Sequence, residues 1–153
     1  MKLFATLLIA ATTSGQALAR SGDALEREVD RAFSASYHSC IKSAPNIPAL
    51  GDCTRRETEV QDARLNRIYR GVMARLSDTE RNRLRTAERA WVRRRDPICE
   101  AYAVKIDGSA ATSMSALINL DCVLKATTRR AILIERYGAG RVYLADLVRD
   151  HRS

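Results

Sequence analysis

The chain has 153 residues, which is enough for one domain with a hydrophobic core but not comfortably for two. Glycine and proline together number ten, aromatic residues make up 5%, and the formal net charge is +8. This composition favours helices over sheets. The positive charge promotes contact with anionic surfaces and polymers, but it indicates nothing specific about the fold.

The first nineteen residues have the pattern of a secretory signal peptide. Lys2 precedes an apolar run over Leu3–Ala11, and Ala17-Leu18-Ala19 is a small-x-small cleavage site. The apolar run is about half of the ~20 residues that a membrane span needs. We therefore expect cleavage between Ala19 and Arg20, a periplasmic or secreted protein that does not span a membrane, and a net charge of +7 once Lys2 is removed.

Residues 20–42 carry apolar side chains at steps of three and four, which predicts one amphipathic helix. It should stop before residues 43–48, where two prolines and an asparagine favour a loop. The second helix is predicted to begin at Asp52–Thr54, because Thr54 and Glu57 match a capping box. Its apolar stripe comprises Leu65, Ile68, Tyr69, Val72 and Leu76.

A second capping box, Ser77 to Glu80, should open the third helix almost immediately, which predicts an antiparallel helical hairpin. The stripe of this helix contains Trp91. Pro97 cannot donate a hydrogen bond to the preceding turn, so we expect the helix to kink or restart there, with Asp96 as a new cap.

Residues 107–109 form a predicted turn, and a fourth helix is expected from about Ser113 until the glycines at 138 and 140. The helical domain then covers residues 20–137. Residues 138–153 are either a tail or a short docked helix, and the pattern leaves both open. The predicted fold is all-α, a small antiparallel bundle of three to four helices.

The four cysteines, an even number in an exported chain, predict two disulfides. Zinc is disfavoured because no C-x2-C pair occurs and His38 is the only histidine nearby. Three pairings are possible. We prefer Cys40–Cys53 and Cys99–Cys122, because the proline-rich loop between the first two needs closing and both pairs are local.

An outer arginine row recurs every four residues on the third helix, on the face away from Trp91, and consists of Arg81, Arg85, Arg89 and Arg93. Guanidinium groups suit phosphate and carboxylate, so the row is a candidate binding surface for an anionic partner. A merely solvated helix face is the favoured interpretation. Nucleic acid is not an expected partner, since no recognised nucleic-acid motif accompanies the row.

Arg95 lies in the apolar stripe of the third helix, and Arg130 lies at the edge of the stripe on the fourth. A buried guanidinium needs a carboxylate partner. Asp62 is the acid on the facing stripe, with Asp96 and Glu88 close by. We therefore predict a structural ion pair between Asp62 and Arg95.

The sequence contains no nucleophile–base pair, no second positioned acid beside Asp62, no glycine-rich phosphate loop and no metal-ligand motif. We therefore expect a non-enzymatic protein with no catalytic residues, no metal site and no cofactor.

Two elements in this order resemble the lysozyme-inhibitor LprI-like N-terminal domain family: Leu65-Asn66 with Tyr69, and Trp91 with Arg95-Asp96 and Cys99. The similarity covers about Cys40 to Tyr137. It implies a secreted, helical, cysteine-containing domain that binds a protein, lysozyme, and inhibits it. The alternative is a cationic envelope protein that binds an anionic partner such as lipid head groups, peptidoglycan or an acidic protein.

Overall fold

The structure is a computed structural model that describes residues 24–150. This part of the chain contains six helices. None of these residues forms a strand, and the all-α prediction is confirmed. The helices are α1 over 24–31, α2 Ala35–Ser43, α3 Ile47–Met73, α4 Asp78–Asp107, α5 Ser113–Gly138 and α6 Leu144–Arg149. The expected signal peptide, residues 1–19, lies outside the described residues.

The prediction of one helix over 20–42 is wrong, because the chain breaks between α1 and α2 at residues 32–34. Ser34 caps α2, and its side chain accepts a hydrogen bond from the Tyr37 amide. The Ser34 backbone and hydroxyl both donate to the carboxylate of Glu57, at 2.9 and 2.5 Å. Gln61 donates to the same carboxylate and to the Ala32 carbonyl. The break is therefore held by α3, a distant partner that helical periodicity does not reveal.

Helix α3 begins at Ile47, earlier than the predicted start at Asp52–Thr54. Asn46 is the cap, and its side chain accepts from the Ala49 amide at 3.0 Å. Pro48 sits in the first turn, where its missing N–H is not needed. Thr54 and Glu57 lie inside the helix and are buried, so they do not form a capping box.

Helix α4 runs unbroken from Asp78 to Asp107 with Pro97 inside it, so the expected restart at Asp96 does not occur. The capping box of Ser77 and Glu80 is present, as predicted. At the other end Gly108 adopts a left-handed conformation with φ 77°, which favours glycine and ends the helix.

The central helix of the bundle is α5. It packs along both α3 and α4, and its buried side chains include Leu124, Ala131 and Ile134. Contacts with α4 pair Glu88 with Arg130 and Cys99 with Cys122, so these two helices run antiparallel. Contacts with α3 pair Arg64 with Glu135 and Val72 with Gly138, so these two run parallel.

Gly138 of α5 lies against Val72 of α3 with no room for a side chain. A Cβ atom at this position would lie 2.5 Å from Cγ2 of Val72. Real Cβ atoms do not approach other atoms so closely, so a larger residue here would push the two helices apart.

The two disulfides are Cys40–Cys53, which joins α2 to α3, and Cys99–Cys122, which joins α4 to α5. These are the preferred pairs. Helix α6 docks on α4 and α5 through Leu147, which is fully buried. No helix among residues 24–150 is both long and apolar enough to cross a membrane.

Candidate functional site

The outer arginine row lies on the solvent side of α4. Arg85, Arg89 and Arg93 are exposed, and Arg81 is partly so. Arg81 pairs with Asp78 at 2.5 Å, and Arg85 donates to the Asn82 side chain at 2.8 Å. Within residues 24–150, Arg85, Arg89 and Arg93 have no carboxylate partner. Three guanidinium groups on one helix are therefore without an ion pair among these residues and can donate to a carboxylate of a partner.

The structure brings Asp62 and Arg95 to one side of the bundle, but not into a tight pair. Arg95 Nη1 is 3.9 Å from Asp62 Oδ1, whereas Arg95 Nε is 2.7 Å from Asp96 Oδ1. Nη1 also donates to the Thr127 hydroxyl at 3.2 Å. The Asp62 side chain is 52% exposed and that of Arg95 is 18% exposed. Asp96 is thus the closer partner, and Asp62 is a solvated neighbour.

The tightest buried ionic contact belongs to Arg130, whose side chain is 0% exposed. Its Nε and Nη2 donate to Glu88 Oε1 at 2.9 and 2.5 Å. Its Nη1 donates to the Leu147 carbonyl at 2.6 Å and lies 3.6 Å from Asp150 Oδ2. We call Arg130, Glu88 and Asp150 the buried cluster. It joins α4, α5 and the end of α6 at one point.

Glu88 and Asp150 compete for one guanidinium. Burial raises the pKa of Asp150 to about 6, although Arg130 and Arg129 oppose that rise. Burial also raises the pKa of Glu88, again against the attraction of Arg130. Since Glu88 accepts two bonds from Arg130 and Asp150 lies farther away, Asp150 is the carboxyl that takes up a proton first.

Trp91 lies between Arg95 and Arg130. Its ring centroid is 5.3 Å from Cζ of Arg95 and 5.5 Å from Cζ of Arg130. Such distances allow cation–π attraction. The residue is 4% exposed, so it belongs to the core and offers no open stacking surface.

A cavity of about 300 Å³ lies beside the Cys99–Cys122 disulfide and reaches Trp91. Its wall carries both signs of charge, and its three cations are matched: Arg95 by Asp96, Lys125 by Asp121 at 2.8 Å, and Arg129 by Glu26. A wall with matched charges does not select an anion or a cation. No group of three potential metal ligands occurs within residues 24–150.

Sequence reasoning missed the partner of Arg130. The available signal was the position of Arg130 at the edge of an apolar stripe, together with Glu88, which lies in the middle of an arginine-rich helix. Glu88 falls four residues after Leu84 and three before Trp91, both buried, and this spacing puts it on the inner face. The third member, Asp150, belongs to a segment that periodicity could not assign.

A family model described as lysozyme inhibitor LprI matches residues 40–132, which include both disulfides, Asp62, Arg95 and Arg130. No curated protein and no solved structure matches the chain significantly. The matched region covers more than half of the chain, and the chain belongs to the lysozyme inhibitor LprI family.

Proposed function

We propose that this protein is a non-enzymatic inhibitor that binds lysozyme outside the cytoplasm. The single observation that carries the proposal is the family match over residues 40–132. The two disulfides support an oxidising compartment, and the signal-peptide pattern before Arg20 supports export to the periplasm or the medium.

The outer arginine row supports a binding role for α4. Lysozymes act through a pair of carboxyl groups at the scissile bond. Arg85, Arg89 and Arg93 are exposed, lie on one face of a helix, and have no acidic partner within residues 24–150. Guanidinium groups presented in this way suit carboxylates on the surface of a partner.

The test is a dose–response assay with purified lysozyme on a cell-wall substrate. The proposal predicts that the hydrolysis rate falls as the mature domain, from Arg20 onward, is added. A sample of the domain that has been reduced and alkylated beforehand is the control, because both disulfides brace the helices. An unchanged rate at a large molar excess of native domain would exclude inhibition of that lysozyme.

A second candidate is a cationic envelope protein that binds an anionic surface such as lipid head groups or peptidoglycan. The net charge of +8 and the unmatched arginines of α4 favour it. In that case retention on an anionic matrix should fall steeply with salt and should drop for Arg85→Ala with Arg89→Ala. Retention that the double substitution leaves unchanged would return these arginines to an ordinary solvated face.

A further inference from the structure

A groove of about 440 Å³ runs between α4 and α6. Its floor is apolar and consists of Ala87 and Ala90 from α4 and of Leu144 and Val148 from α6. The Val148 side chain is 48% exposed although it is large and aliphatic. The groove therefore leaves apolar surface in water that a partner would cover.

The rim of this groove is positive. Of the residues at positions 24–150, Arg83 and Arg94 line the rim, and no carboxylate does. Neither arginine forms an ion pair among the described residues, although Glu80 interacts electrostatically with Arg83. Thr86 and Ala90 line the groove, and on α4 Arg89 lies three residues after Thr86 and Arg93 three residues after Ala90. This spacing places both arginines beside the groove. The apolar floor is thus bordered by several guanidinium groups that form no ion pair within residues 24–150.

The far wall of the groove is held in place by the buried cluster. Helix α6 has only six residues, too few to be stable alone. The bond from Arg130 to the Leu147 carbonyl and the burial of Leu147 fix it against the bundle. The groove therefore exists before any partner arrives, which lowers the ordering cost of binding.

We propose that the α4–α6 groove binds an acidic amphipathic helix of a protein partner. The α4 wall from Asn82 to Arg94 is about 18 Å long at 1.5 Å per residue, which matches roughly three turns of a bound helix. Apolar side chains at i, i+3 or i+4, and i+7 would enter the floor, and carboxylates on either side would meet Arg83, Arg94 and the neighbouring Arg93. This proposal rests on the proposed function in one respect only, which is that the partner is a protein.

The probe is a fluorescent synthetic peptide of about three helical turns, with leucine at the anchor positions and glutamate elsewhere. We expect the protein to bind it, and a scrambled peptide of the same composition to bind at least about tenfold more weakly. Equal affinity for both peptides, or no binding of the patterned peptide, would overturn the proposal.

The groove is tested by two charge-matched double substitutions. Arg83→Glu with Arg94→Glu should weaken peptide binding at least about tenfold. Arg67→Glu with Arg70→Glu, on exposed positions of α3, changes the net charge equally and should weaken binding much less. Similar losses for the two variants would mean that total charge alone attracts the peptide, and the proposal would fail.

Val148→Asp is an independent variant on α6, on the other side of the groove from Arg83 and Arg94. It places a carboxylate on the groove floor and should weaken peptide binding. Its melting temperature should stay within a few degrees of the native value. If phosphatidylglycerol vesicles displaced the patterned peptide from the native protein and bound equally to Val148→Asp, the groove would not be a protein site. The assay contains no lysozyme, so a protein that binds the peptide but leaves lysozyme active contradicts only the proposed function.

Discussion

The arginine of the buried cluster, on α5, and the arginines of the outer row, on the neighbouring helix α4, occupy opposite environments. Arg130 is fully buried, and its guanidinium meets Glu88, the Leu147 carbonyl and Asp150. Arg89 and Arg93 on α4 are exposed and have no carboxylate partner within residues 24–150. Since a buried donor must be satisfied inside the fold, the first contributes to folding, while the others keep their donors available for binding.

The largest difference between the two regions should appear when each loses one guanidinium. Arg130→Met leaves Glu88 and Asp150 buried without their cation, and we expect a loss of about 3–5 kcal/mol in the free energy of unfolding. The melting temperature followed by circular dichroism should fall by roughly 10 °C or more.

Arg93→Met on the outer row is the matched control, and its melting temperature should stay within a degree or two because the side chain is exposed. Equal melting temperatures for the two variants would mean that the buried cluster does not hold the helices together.

The cluster should also make stability depend on pH. The pKa of Asp150 is raised to about 6 in the fold and is ordinary in the unfolded chain, so between these values the folded state binds the proton more tightly. The contribution of this carboxyl to the free energy of unfolding is therefore full below about pH 4 and is lost as the pH rises through 6. The loss in the free energy of unfolding is about 1–3 kcal/mol.

Asp150→Asn should remove that loss. In urea titrations, the free energy of unfolding of the native protein should therefore fall relative to that of the variant between pH 5 and pH 7, so that the gap between them changes. Glu59→Gln, at an exposed position of α3, should show no such change in the gap. A pH-independent gap for Asp150→Asn would place Asp150 in solvent rather than in the cluster.

A smaller effect is expected at Asp62. Its carboxylate is half exposed and 3.9 Å from Arg95, which has Asp96 closer, so Asp62→Asn should cost no more than about 0.5–1 kcal/mol in a thermal melt. A loss as large as that of Arg130→Met would restore Asp62 as the main partner of Arg95.

The smallest effect on stability should come from the outer row itself. Replacing Arg85, Arg89 and Arg93 by alanine removes mutual repulsion and no ion pair, and alanine favours helices. The melting temperature of the triple variant should therefore equal or slightly exceed that of the native protein. A clear decrease would show that these side chains support the fold and are not free for a partner.

Much of the fold could be predicted from local patterns. Steps of three and four placed the three long helices, and capping residues such as Ser77 marked a helix start correctly. The preferred disulfide pairs are present because both join segments that are close along the chain.

The remaining features depend on contacts between distant residues. The break before α2 depends on the bonds from Ser34 to Glu57, and the partners of Arg130 are 42 and 20 positions away, at Glu88 and Asp150. Asn46, which the sequence predicts to lie in a loop, caps α3 in place of the predicted Thr54, and a local pattern does not rank two such residues. Periodicity also cannot show that α6 docks on the bundle and builds one wall of the groove.

The central claim is that buried arginine holds the fold and exposed arginine on α4 serves binding. Its most direct test is to measure, for one set of proteins, both the melting temperature and the dose that halves lysozyme activity. We predict that the variant lacking Arg85, Arg89 and Arg93 keeps the native melting temperature but needs a several-fold higher dose. A variant that melts and inhibits like the native protein would contradict the claim.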